Sequence, residues 1–221
     1  MSTSQRVSLG FQPLGLLASP AFSFVKRSLA GIVLTLMLTN RVAAGPFEDG
    51  VAAYSSGDYA TALRLFRPLA DQGHADGQLK LGNMYGRGQG VPQDYAEAVK
   101  WYRLAAEQGN AFAQFNLGIM YRRGQGVPQD YAEAVKWNRL AAEQGDAEAQ
   151  HNLGVSYHRG EGVPQDYVQA HMWFSLVASR APASEAEVRG EAIKMRNVVA
   201  SKMTPAQIAE AQRLAREWKP K

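Results

Sequence analysis

Apolar side chains along the middle of the chain fall into stripes spaced three and four residues apart. Tyr95, Ala98, Trp101 and Ala105 follow at 3, 3 and 4 residues, one face of an α-helix. Asp94 precedes this stripe and Glu97 stands three residues on. That D-x-x-E start predicts a capping box in which each side chain bonds a free backbone N–H of the first turn. Gly109 closes the helix, where a left-handed residue costs little. A second stripe lies upstream on Ala75, Leu81 and Tyr85, with Gln78 and Gly82 in its register. Gly88, Gly90, Val91 and Pro92 predict the turn between the two helices.

The helix pair then repeats. Residues 87–101 recur unchanged at 123–137, and 103–109 at 139–145, both with an offset of 36 residues. A drifted copy runs from Gly160 to Trp173, and a partial one starts at Asp58. A period in this range is the signature of a solenoid. Glycine inside a helix costs roughly 1 kcal/mol relative to alanine. Gly82, Gly118 and Gly154 share one register, which predicts close contact between helices there.

The expected organisation is an all-α solenoid of about ten helices without a sheet. Residues 45–74 form a shortened first unit, because Tyr54 and Tyr59 are five apart where Tyr85 and Tyr95 are ten apart. Residues 75–182 hold three units of 36 residues, and 183–221 supply closing helices. The last of these starts at Thr204-Pro205, with proline at the first helical position. It is rich in Ala, Glu, Arg and Gln, as the polar outer face of a terminal unit requires.

Residues 1–44 read differently. Lys26-Arg27 precede a run of about a dozen largely apolar residues, Ser28–Thr39, and then Val42-Ala43-Ala44. This is the pattern of a secretory signal, too short to span a membrane comfortably. It predicts cleavage after Ala44, with an uncleaved anchor as the alternative. A compact signal would begin at residue 25, so the expected translation start is Val25.

Charge sharpens the division. The chain holds 24 basic and 20 acidic residues. Arg6, Lys26, Arg27 and Arg41 carry all the charge of 1–44, leaving 20 of each sign in 45–221. A balanced body lacks the basic surface that phosphate backbones demand, which argues against nucleic-acid binding. Cysteine is absent, excluding disulfides, thiol chemistry and cysteine zinc sites.

Several segments mimic catalytic motifs. Gly86–Gly90 resembles a phosphate loop, but follows no strand and recurs as the inter-helix turn. Gly154–His158 resembles a nucleophile elbow, yet Ser156 occupies the register of Met84 and Met120. Ser23–Lys26 matches S-x-x-K within the leader. His151 and His158 share a helix face, but two ligands do not close a metal site. The recurring Tyr95, Trp101, Tyr131, Trp137, Tyr167 and Trp173 are expected to be core packing. No catalytic residue, metal or cofactor is predicted.

The pattern A-x-x-Q-x-x-L-G-x-x-Y-x-x-G-x-G-V-x-x-D-Y-x-x-A-x-x-W-x-x-x-A-A resembles the Sel-1-like repeat, a relative of the tetratricopeptide repeat. It fits 75–110 and 111–146 well and 147–182 adequately; 47–74 looks like the tetratricopeptide form. The resemblance implies a right-handed superhelix that serves as a protein-interaction scaffold, often an adaptor in exported or envelope-associated bacterial proteins. Two other functions compete: an enzyme acting on cell-wall material or β-lactams, and a structural spacer. The enzymatic link belongs to cysteine-rich relatives, which this chain does not resemble in that respect.

The resemblance also implies that the first helix of each unit lines the concave face. Its non-core positions would be Asp76, Leu79, Asn83 and Arg87, then Phe112, Phe115, Ile119 and Arg123, then Glu148, His151, Val155 and Arg159. The central unit is unusually apolar at these positions. Exposed apolar clusters mark contact sites. Phe112 and Phe115 are therefore the expected anchors for a protein or peptide segment, and Arg87, Arg123 and Arg159 an edge for carboxylates or carbonyls. The competing expectation is that both rings pack against the preceding unit.

Overall fold

The computed structural model describes residues 45–221. They contain ten α-helices and one short 3₁₀ turn, without a strand among the described residues. The helices are α1 (Pro46–Ser55), α2 (Tyr59–Asp71), α3 (Ala75–Arg87), α4 (Tyr95–Glu107) and α5 (Ala111–Arg123). Then come α6 (Tyr131–Glu143), α7 (Ala147–Arg159), α8 (Tyr167–Arg180), α9 (Ala186–Ala200) and α10 (Pro205–Glu217). Each helix packs on its successor through α9, and α10 returns to α8. The leader, its cleavage point and the Val25 start lie outside the described residues.

Within each unit the recurrent glycine lets the two helices touch. A β-carbon on Gly82 would stand 2.6 Å from the Tyr102 ring, and one on Gly154 would stand 2.8 Å from Phe174. Between units the contacts are polar and equally periodic. The buried Gln78, Gln114 and Gln150 amides donate to the carbonyls of Ala70, Ala106 and Ala142 at 3.1–3.2 Å. Gln108 and Gln144 donate to the Gln78 and Gln114 side chains of their own units at 2.7 and 2.8 Å, tying these bonds to the helix pair behind them. Arg103 and Arg139 reach the hydroxyls of Tyr121 and Tyr157 at 2.7 and 2.8 Å. The turn of each unit also rests on the preceding one: Gly126 lies against the Tyr95 carbonyl and Gly162 against that of Tyr131. Buried apolar surface drives the stacking, and these bonds fix its register by leaving few buried polar groups unpaired.

Two expectations need correction. The caps are half boxes. Asp94 Oδ1 accepts from the N–H groups of Ala96 and Glu97 at 2.9 and 3.0 Å. The Asp94 N–H, however, donates to the Tyr85 carbonyl, leaving Glu97 to pair with Lys100. The full reciprocal box occurs instead at Thr204 and Gln207. The recurrent aromatic set is also less deeply buried than expected. Trp173 is buried, but Trp101 and Trp137 are half-buried and Tyr131 is exposed. The core of α4 runs through Ala98, Val99, Tyr102, Ala105 and Ala106, which turns Trp101 toward the rim.

Candidate partner-binding face

The twelve positions expected to form a groove do not share one environment. On α3, Leu79 is only 8% exposed and packs with Val99 and Leu117, so it contributes core rather than contact surface. Asn83 accepts a 2.8 Å bond from the Tyr102 hydroxyl and lies 3.5 Å from the Asn116 amide of α5. That contact joins the faces of neighbouring first helices. Arg87 is exposed.

On α5 the two rings part company. Phe112 is 65% exposed, although its counterparts at the same register, Asp76 and Glu148, are polar. Phe115 is half-buried against a cluster that includes Val135, Leu153 and Met172. It thus packs against a cluster drawn from α6, α7 and α8. Ile119 is half-buried and Arg123 is exposed.

On α7 the face is partly covered. Val155 joins Val188, Ala192 and Val199 of α9 in one buried cluster. Glu148 and His151 line a recess shared with Glu187 and Glu191 of the same helix. The His151 ring stands 5.4 Å from Phe174, and burial lowers its pKa. Its buried Nε2 has no hydrogen-bond partner. Arg159 remains exposed, 3.6 Å from Glu161. The covering role of α9 had a signal in the sequence: Val188, Ala192 and Val199 lie on one helical face, spaced 4 and 7 residues apart.

Ser156 is buried within α7 and not on a strand-to-helix turn. No group of three His, Cys, Asp or Glu side chains is disposed to hold a metal among the described residues. No helix among them is long and apolar enough to cross a membrane.

The sequence reading missed a cleft of about 500 Å³ at the N-terminal edge of α5 and α7. Phe112 stands at its side, with Ala147, Pro182 and Trp218 as apolar walls and Asp146 and Glu185 as acidic ones. The cleft brings together residues up to about a hundred positions apart, so no local pattern announces it.

A family model described as Sel1 repeat matches residues 47–74, 75–110, 111–146 and 147–181. The shortened first unit is among the matched segments. Among solved structures, the chain is similar to a protective antigen present in uropathogenic Escherichia coli strains that displays an SLR fold. The two are 31% identical with a TM-score of 0.53, over 72% of this chain and 40% of that one. The chain thus spans well under half of that antigen's length. It is also similar to a Sel1 repeat protein from Oxalobacter formigenes, 30% identical with a TM-score of 0.58, over 78% of this chain and 72% of that one. No curated protein matches.

Proposed function

The chain belongs to the Sel1 repeat family, and from that premise we propose that it is a non-enzymatic scaffold holding a protein or peptide segment against the face of α3 and α5. The observation that carries this reading is Phe112. A phenylalanine 65% exposed, at a register where the neighbouring units place Asp76 and Glu148, serves no packing need of the repeat. Ile119 extends the apolar strip, and Arg87 and Arg123 border it with cations. Phe115, three residues on in the same helix, has its own ring half committed to the core. Family membership supports a protein partner, since Sel1 repeats generally mediate protein–protein interaction.

The setting of this interaction is the cell envelope, as the composition of residues 1–44 supports. N-terminal sequencing and cell fractionation test that setting: a start at Gly45 agrees with it, and an intact leader on protein recovered in the cytoplasmic fraction contradicts it. Crosslinking pull-down with the full chain tests the face. Phe112→Ser is expected to abolish partner capture without moving the melting temperature. Undiminished capture by that variant refutes the reading.

A further inference from the structure

We propose that the cleft beside Phe112 takes a lysine or arginine side chain of the partner segment, with an apolar neighbour of that residue packing on the Phe112 ring. This rests on the scaffold reading above and adds the chemistry of the residue recognised.

The cleft lies where the start of α7, the connection from α8 to α9 and the C-terminal tail meet. Its apolar walls suit the methylene stem of a long basic side chain, and the Phe112 ring suits both an apolar neighbour and a cation. The charge balance selects the sign of the ligand. Asp146 and Glu185 both line the cleft, and neither forms an ion pair among the described residues. Arg180, the cation in the lining, is already engaged. It donates to the carbonyls of Ala215 and Trp218 at 3.3 and 3.0 Å and lies 4.9 Å from the centroid of the Trp218 ring.

Helix capping does not account for these carboxylates. Asp146 caps α7 by accepting the Ala149 N–H at 2.8 Å, but the neutral Asn110 does the same for α5 at 3.0 Å. Glu185 occupies the N-cap position of α9 and makes no side-chain cap bond. Burial raises the pKa of Asp146, with repulsion from Glu185 adding to it. Burial likewise raises Glu148, which also feels Asp146, Glu185 and Glu187. An ammonium or guanidinium group placed here would relieve that repulsion and gain charge-assisted hydrogen bonds.

Two fluorescein-labelled peptides test the proposal against the full chain: Gly-Ser-Lys-Leu-Lys-Ser and Gly-Ser-Glu-Leu-Glu-Ser. Fluorescence anisotropy should show saturable binding of the lysine peptide only. The double variant D146N/E185Q removes both charges while retaining an amide able to cap α7. Lysine-peptide binding should weaken roughly tenfold in this variant and in F112S, with melting temperatures unchanged. Equal binding of the glutamate peptide, or undiminished lysine-peptide binding by D146N/E185Q, overturns the proposal. The scaffold reading is judged separately. Partner capture lost in F112S but kept in D146N/E185Q retains the scaffold and rejects the cationic ligand. Carbodiimide crosslinks from Glu185 to a lysine of a partner protein support the proposal. Crosslinks to a second copy, or to Lys26 of the same chain, overturn it.

Discussion

Asn138 lies directly against Gly118, so that a β-carbon on the glycine would stand 2.9 Å from Asn138 Oδ1. The flanking units place the rings of Tyr102 and Phe174 at this position, against Gly82 and Gly154. Asn138 is only 2% exposed, and its Oδ1 has no hydrogen-bond partner. The central unit thus carries a buried amide where the repeat is built to hold a ring.

Asn138→Phe should therefore stabilise the protein. It removes an unpaired polar atom and adds apolar burial, together worth roughly 1–2 kcal/mol. For a domain of this size that is about 2–8 °C in melting temperature. Asn138→Tyr should gain less. The Tyr102 hydroxyl bonds Asn83, whereas the matching position in the central unit is Ile119. A thermal melt of the three proteins checks the order.

Gly126 and Gly109 both have positive φ, at +75° and +91°. They should nevertheless respond differently to alanine. A β-carbon on Gly109 meets nothing within 4 Å, while one on Gly126 collides with the backbone carbonyl of Tyr95 in the preceding unit. Gly109→Ala should cost about 1–2 kcal/mol, the left-handed backbone penalty alone. Gly126→Ala should cost roughly 3 kcal/mol or more, because two units must separate to admit the methyl group. Urea denaturation of both variants gives the comparison.

Arg180→Ala should loosen the C-terminal helix while sparing the first units. Arg180 occupies the register of Gln108 and Gln144, but its bonds run forward to the end of α10, whereas theirs run back to Gln78 and Gln114 of their own units. Trp218, on which it lies, also packs edge-on against Trp173 at 6.1 Å. Solenoid stability is a sum of local and nearest-neighbour terms. Amide exchange over Pro205–Glu217 should accelerate roughly tenfold. Unchanged exchange there would show that α10 is held by its apolar face alone.

Stability should fall as pH drops below neutrality. Burial holds His151, His158 and His171 below the ordinary 6.5, with Arg196 adding to the effect at His171. Below 6.5 the unfolded chain takes up these protons and the folded chain does not. Stability is therefore complete above that value and declines as the pH moves down toward the folded pKa values. The raised carboxyls of Asp146 and Glu148 act in the opposite sense, since the folded state then binds protons first. Their window runs upward from the ordinary 3.8 and 4.5. Between about pH 7 and 5.5 the melting temperature should decline, and His171→Gln should flatten the decline. A slope unaltered by that substitution would assign it to the other two histidines.

The sequence by itself determined the elements and their stacking. A 36-residue identity, Asp caps before each second helix and Gly82, Gly118 and Gly154 in one register are local or periodic facts. Helix formation and nearest-neighbour packing follow from such facts, because each unit touches little beyond its neighbours. Periodicity also singled out Phe112, since an apolar residue that breaks the repeat's own pattern is visible without coordinates.

Only the tertiary structure decided which broken positions face solvent. Phe112 and Phe115 differ by three residues on one helix, yet one ring is free and the other leans on α6, α7 and α8. Leu79, read as groove, is core, and Val155 is roofed by α9. Asp146, Glu185 and Trp218 meet in one cleft although they are scattered from the third unit to the tail. Helical spacing fixes the direction of a side chain about its own axis to within a fraction of a turn. It cannot fix what stands opposite, which depends on how far neighbouring helices lean and where a non-repeating tail returns. Burial is therefore a property of two or more elements at once, and it settles only when they pack.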